Sequence, residues 1–162
     1  NENRIVEWEL EQVPEHAGIQ KLVADLNNMY KEYPELYILD DSPAGFQWIN
    51  QISANDCCLT FLRKGIRKEQ VLLVAANFSG IEKEITTGVP YAGKYKEILN
   101  TDDKKYGGSG IVNGRVKPSK KIEWDDRENS ITVKLAPLSV SILKYVPAEP
   151  ENKKKTGKVS KK

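Results

Sequence analysis

Between Pro14 and Tyr33 the apolar residues recur every three or four positions, at Ile19, Leu22, Val23, Leu26, Met29, Tyr30 and Tyr33. That spacing gathers them on one side of a 3.6-residue helix. Pro14 suits the first turn, where a missing N–H costs nothing, and Glu15 complements the positive helix end. Pro34 stops the helix, because the residue before a proline is pushed out of the helical region. One amphipathic helix cannot bury its own stripe. The pattern therefore demands a partner surface, either in the chain that follows or in a segment upstream.

After Tyr37 the period shortens and turn-rich stretches alternate with β-prone runs. Strands are expected at Gly45–Ile52, Asp56–Arg63 and Gln70–Phe78, with Lys64 to Glu69 as a hairpin loop between the last two. Val71 to Ala76 is apolar on both faces, as a central strand would be. Lys94–Leu99 and Lys121–Trp124 are shorter candidates. Ile131, Val133 and Leu135 alternate with polar residues, giving a strand with one face on the core. Ala136-Pro137-Leu138 then turns the chain into a closing strand, Ser139–Val146. Seven or so short strands after one helix predict a mainly β protein, an antiparallel β-sandwich. Asn100 to Ser119 reads as a long irregular loop, of a length uncommon in compact domains unless it is packed or functional.

The formal charge of +2 over 162 residues changes meaning once it is divided. Six lysines and two glutamates between Glu149 and Lys162 give that tail +4 and leave −2 on the rest. A nucleic-acid binder is expected to carry a basic face on its folded body, so the balance argues against that partner. The tail, residues 148–162, is expected to be solvated and without a core. No run approaches the ~20 apolar residues of a membrane span. Asn1 to Glu11 is acidic and polar, unlike a secretory signal, and the absence of an initial Met reads as a cut in a longer chain. Cys57 and Cys58 are adjacent and lack a C-x-x-C pattern, which fits free thiols in a reducing, cytoplasmic setting.

The candidate chemistry is thin. His16 is the single histidine, so His-based zinc sites are excluded and a packing or loop-orienting role is expected for it. No G-x-S-x-G nucleophile elbow is present. Tyr106-Gly107-Gly108-Ser109-Gly110 has neither the lysine of a phosphate loop nor the third glycine of a dinucleotide loop. The acidic pairs Asp40-Asp41, Asp102-Asp103 and Asp125-Asp126 are placed to make turns rather than to face each other across a substrate. No catalytic residue, metal ligand or cofactor is assigned. Asn77-Phe78-Ser79 matches a glycosylation sequon. Among the aromatics, Trp124, beside Asp125, Asp126 and Arg127, and Tyr91, after Pro90, fall in turns and are the candidates for stacking on sugar rings; the others are expected in the core or at an interface.

A set of short phrases runs in order along residues 7 to 146. They are His16-Ala17-Gly18-Ile19-Gln20, Asp25-Leu26-Asn27, Glu35-Leu36-Tyr37, Gly45-Phe46-Gln47-Trp48-Ile49, Asn77-Phe78, and Gly88-Val89-Pro90 with Gly93 and Tyr95. Glu97-Ile98-Leu99-Asn100-Thr101-Asp102, Tyr106-Gly107-Gly108-Ser109-Gly110 and Leu135-Ala136-Pro137-Leu138-Ser139 complete it. In this order they resemble the C-terminal end of bacterial glycogen branching enzymes, of the α-amylase superfamily.

The resemblance implies that residues 1–37 end a catalytic (β/α)8 barrel with its last helix, and that 38–147 form a C-terminal all-β domain packed on it. Val23, Leu26 and Tyr30 would then face former barrel neighbours. It implies a parent enzyme that moves α-1,4-glucan segments to 6-hydroxyls through a covalent glycosyl–enzyme intermediate. That chemistry belongs to earlier barrel strands, so this chain would be a non-catalytic support for the barrel. The alternative is a glucan-binding module in which Trp124 and Tyr91 hold the α-glucan. Two departures stand out: Trp124-Asp125-Asp126-Arg127 replaces the usual Trp-His-Gly-Arg, and Ile111 and Val112 replace small residues.

Overall fold

A computed structural model of the chain describes residues 7–50 and 56–147. The expectation for the Lys-rich tail, and the end of the Gly45–Ile52 strand, lie outside the described residues. Helix α1 spans Pro14–Glu32, with Pro14 in its first turn and Tyr33 closing it through an N–H to the carbonyl of Met29 at 2.9 Å. Among the described residues eight strands follow: β1 Phe46–Asn50, β2 Cys58–Lys64, β3 Val71–Asn77, β4 Lys83–Val89, β5 Gly93–Asn100, β6 Lys117–Pro118, β7 Asn129–Leu135 and β8 Ser139–Pro147. All pairings are antiparallel. β1-β2-β3-β8-β5-β6 form one sheet, and β4-β7 form a separate two-stranded ribbon.

The ribbon closes one face of the large sheet. Val89, Ile131, Val133 and Leu135 from it pack on Leu62, Val71, Leu73, Tyr95 and Leu143. Alternation along β3 sends Leu72 and Val74 to the other face, where they meet Leu99 and Ile142. α1 covers that second face with Leu22, Leu26 and Met29, so β3 is buried throughout. Its unbroken apolar run follows from this double cover. On β5 both Tyr95 and Leu99 are buried, four residues apart yet on opposite faces. A bulge between Glu97 and Leu99 supplies the extra residue, Ile98, that switches the face.

Three sequence expectations change. β4, Lys83-Glu84-Ile85-Thr86-Thr87-Gly88-Val89, is a full strand that hydropathy does not mark. Its polar positions are satisfied across the structure: the Thr87 hydroxyl meets that of Thr60 at 2.9 Å, and Thr86 meets Thr132 at 3.2 Å. Conversely, Lys121–Trp124 is not a strand; only a bridge between Trp124 and Arg127 forms there. His16 is exposed rather than packed.

The stretch 100–119 is ordered by carboxylates. Asp102 accepts from the Ser109 N–H (3.0 Å), the Ser109 hydroxyl (2.6 Å) and the Ile111 N–H (2.8 Å). Burial pushes its carboxyl up, but these bonds and that of Gly110 outweigh burial and hold it below the ordinary value. Glu97 accepts from Asn100, the Asn113 amide and backbone, and the Ser141 hydroxyl. Asn113 in turn bonds both backbone groups of Lys134 on β7.

Candidate functional site

On α1, Leu22, Leu26 and Met29 face the sheet while Ile19, Val23 and Tyr30 stay 60, 50 and 52% exposed. At ~100° per residue the second set falls within a sector of about 40°, directly beside the first. The stripe is thus wider than the sheet covers, and its free edge is continuous along the helix. Tyr37 lies 5.4 Å from Tyr30, ring centre to ring centre, and extends the apolar flank. Among the sequence candidates for a barrel-facing set, Val23 and Tyr30 are therefore on the open flank. Leu26 is not: it packs against the β sheet.

The third side of α1 is clamped to the long loop. A Cβ on Gly18 would lie 2.3 Å from the carbonyl oxygen of Tyr106, so only glycine lets the loop approach so closely. Two turns further along, Asp25 accepts from the Tyr106 hydroxyl at 2.6 Å and pairs with Lys105 at 2.9 Å. The Tyr106 hydrogen bond first, and Lys105 next, hold the Asp25 carboxyl below its ordinary value. Sequence patterning alone gives Gly18 and Asp25 no role. A charged residue one sector away from Leu22 and Met29 was the available signal.

The glycine-rich run beside this clamp has its backbone donors spent. Gly107 and Gly108 donate to Lys104 and Asp103, and Ser109, Gly110 and Ile111 all donate to Asp102. It is a locked turn whose amides are turned inward and not toward a phosphate. The sequon asparagine is equally committed. Asn77 is fully buried, donating to the carbonyls of Ile81 and Ala136 and accepting from Ser79.

Trp124 sits at a two-residue turn in which Asp125 and Asp126 both take positive φ, 50° and 57°. The Trp124 and Arg127 backbones exchange hydrogen bonds of 2.9 and 3.0 Å. Asp125 anchors the turn by accepting from the Gly88 N–H at 2.9 Å and from Asn50 at 3.2 Å. Arg127 donates to the carbonyls of Asp125 (2.8 Å) and Trp48 (3.3 Å). The departure from the family phrase thus leaves a fixed turn, since aspartate tolerates the left-handed region better than most residues. Trp124 is 47% exposed and borders a cleft of about 310 Å³ with Asn50, Asp56, Thr60, Lys83 and Thr87.

Tyr91 lies elsewhere. It is half-buried, 5.4 Å from the Tyr145 ring on one side, with the Lys68 ammonium 4.7 Å from its centre. Its backbone carbonyl accepts from the hydroxyl of Tyr95, whose pKa burial pushes up. It lines a second groove, of about 360 Å³, with Leu39, Lys64, Ile66 and Arg67. The two aromatic candidates therefore line different cavities. Among the described residues no helix is long and apolar enough to cross a membrane.

The model of the α-amylase C-terminal all-β domain matches residues 48–146. Over 141 residues the chain is 40% identical to the 1,4-alpha-glucan branching enzyme GlgB of Aquifex aeolicus (strain VF5), which covers 86% of this chain and 22% of that protein. The branching enzymes of Rubrobacter xylanophilus and Pseudoalteromonas atlantica are each 37% identical, over 88% and 90% of this chain and 20% of their own length. The chain spans about a fifth of the length of these curated relatives.

Proposed function

We propose that this chain, which belongs to the α-amylase C-terminal all-β domain family, is the non-catalytic C-terminal part of a 1,4-α-glucan branching enzyme and supports that enzyme's catalytic barrel. The observation that carries this reading is the two-sided helix. α1 buries Leu22, Leu26 and Met29 on its own sheet and leaves Ile19, Val23 and Tyr30 open to a second partner. A continuous apolar flank of that kind is what a domain contact leaves when seen from one side. The relatives' greater length supplies the partner, because four-fifths of each lies outside the matched region.

The reaction would transfer an α-1,4-glucan segment to a 6-hydroxyl, with its carboxylates held in the barrel. The test is an iodine-stained amylose assay on this chain and on a relative of full length carrying Ile19→Asp and Val23→Asp at the matching helix. The chain alone should not branch amylose, and the substituted enzyme should lose thermal stability and activity together. Branching by the purified chain alone would sink the proposal.

A second reading, glucan docking, is favoured by Trp124, a half-exposed indole on a fixed turn beside a cleft. Tyr91 supports it less, because Lys68 occupies one face of its ring. Retention on amylopectin in native gels, compared with Trp124→Ala and Tyr91→Ala, separates the two. Loss of retention in Trp124→Ala alone favours docking at that turn, and identical mobility of all three proteins counts against docking.

A further inference from the structure

The groove beside Tyr91 has a chemistry that neither reading uses. Its rim is the β2–β3 hairpin, closed by the Gly65 N–H to the Gln70 carbonyl at 2.9 Å and the Arg67 N–H to the Gln70 side chain at 2.9 Å. Lys64, Arg67 and Lys68 line one concavity, with Leu39 and Ile66 as its apolar side. Arg67 has a carboxylate partner, Glu69 at 3.1 Å. Asp40, next to Leu39, is taken by Arg63 at 2.6 Å. Lys64 donates to the neutral Gln47 at 3.3 Å, and Lys68 rests over the Tyr91 ring. Neither of these lysines belongs to an ion pair among the described residues.

We propose that this groove binds a phosphate monoester carried on a sugar. Lys64 and Lys68 would meet the phosphate, and the Leu39 and Ile66 side chains would take the sugar's C–H face. Two cations lining one concave surface favour an anion through charge-assisted hydrogen bonds. Cation–π contact with Tyr91 holds Lys68 in place, so less side-chain freedom is lost on binding. The volume, about 360 Å³, suits a ligand of monosaccharide to disaccharide size. A neutral glucan would leave both ammonium groups without an anionic partner. The inference stands on the hairpin with Leu39 and Tyr91 and does not rest on the barrel-support reading.

The test follows amide shifts of the full chain by NMR during titration with inorganic phosphate, glucose 6-phosphate, a phosphorylated maltodextrin and glucose. Expected are saturable shifts confined to Gly65–Gln70 and the Tyr91 turn with both phosphorylated sugars, about tenfold tighter than with inorganic phosphate, and none with glucose. Stronger binding of the maltodextrin identifies a glucan-borne phosphate, and stronger binding of glucose 6-phosphate identifies a free sugar phosphate. The Lys64→Gln, Lys68→Gln variant should weaken either by at least about tenfold while keeping the remaining spectrum. Equal affinity for inorganic phosphate, shifts that persist in the double variant, or no shift with either sugar phosphate overturns the proposal.

Discussion

The Tyr106 hydroxyl donates to Asp25 at 2.6 Å, joining residues 81 positions apart in the chain. With Lys105 on the same carboxylate, this contact fastens α1 to the loop that follows β5. Asp25 has a folded pKa below its ordinary value, chiefly through Tyr106 and then Lys105. A depressed carboxyl stabilises the fold above its unfolded pKa of about 3.9, and that contribution disappears as pH falls through the folded value. Asp25→Asn should therefore lower Tm at neutral pH and flatten the acid side of the Tm–pH curve, so that the two proteins draw together as pH falls from about 4 through the folded value. Parallel curves for the two proteins would refute the clamp.

Glu97→Ala tests the network inside the long loop. It removes the acceptor for Asn100, Asn113 and Ser141, all buried. Leaving buried donors without partners costs about 1–3 kcal/mol each, though the groups share one site and their costs will not simply add. A loss of about 3 kcal/mol in urea unfolding is expected, together with early proteolysis between Asn100 and Ser119 as the loop opens locally.

The Trp124 turn is open to opposite substitutions. Gly88→Ala would place a Cβ 2.2 Å from the Trp124 carbonyl oxygen, forcing the turn away from β4 at a cost of about 1–3 kcal/mol. Asp126→Gly, at φ 57°, relieves a left-handed strain and should stabilise by about 0.5–1 kcal/mol. Thermal melts of the two variants should move in opposite directions.

The two edges of the helix stripe should respond differently. Met29→Ala opens the sheet-facing core and should cost about 2–5 kcal/mol in the isolated chain. Ile19→Ala, on the free flank, should change its stability by less than about 0.5 kcal/mol. Comparable losses from both would mean that the flank is already covered when the chain is alone in solution.

The helix and β3 are legible in the sequence because periodicity reports a residue's face directly. Periodicity does not report what that face meets, and the resemblance, which implies that Leu26 faces a barrel, does not show that it packs on the sheet. β4 escapes notice because hydroxyl pairs with Thr60 and Thr132, made by residues distant in sequence, take the place of apolar alternation. Lys121–Trp124 looks like a strand by composition, but two left-handed aspartates turn the chain at its end. Tyr91 and Trp124 do fall in turns, yet no local pattern could say that Lys68 would lie over one of them. The family phrases around Asp25, Glu97 and Asp102 carry the resemblance, and the folded chain gives those three carboxylates a common physical role. Together they pin one loop to its neighbours.

Because β3 is buried between the ribbon and α1, the helix and sheet form one packing unit that neither half completes alone. A chimera joined at residues 37 and 38 would set Leu72, Val74, Leu99 and Ile142 against a foreign helix whose ridges were shaped for another surface. Crossovers between related chains should therefore be tolerated ahead of Pro14 and rejected in the short connection after Tyr33.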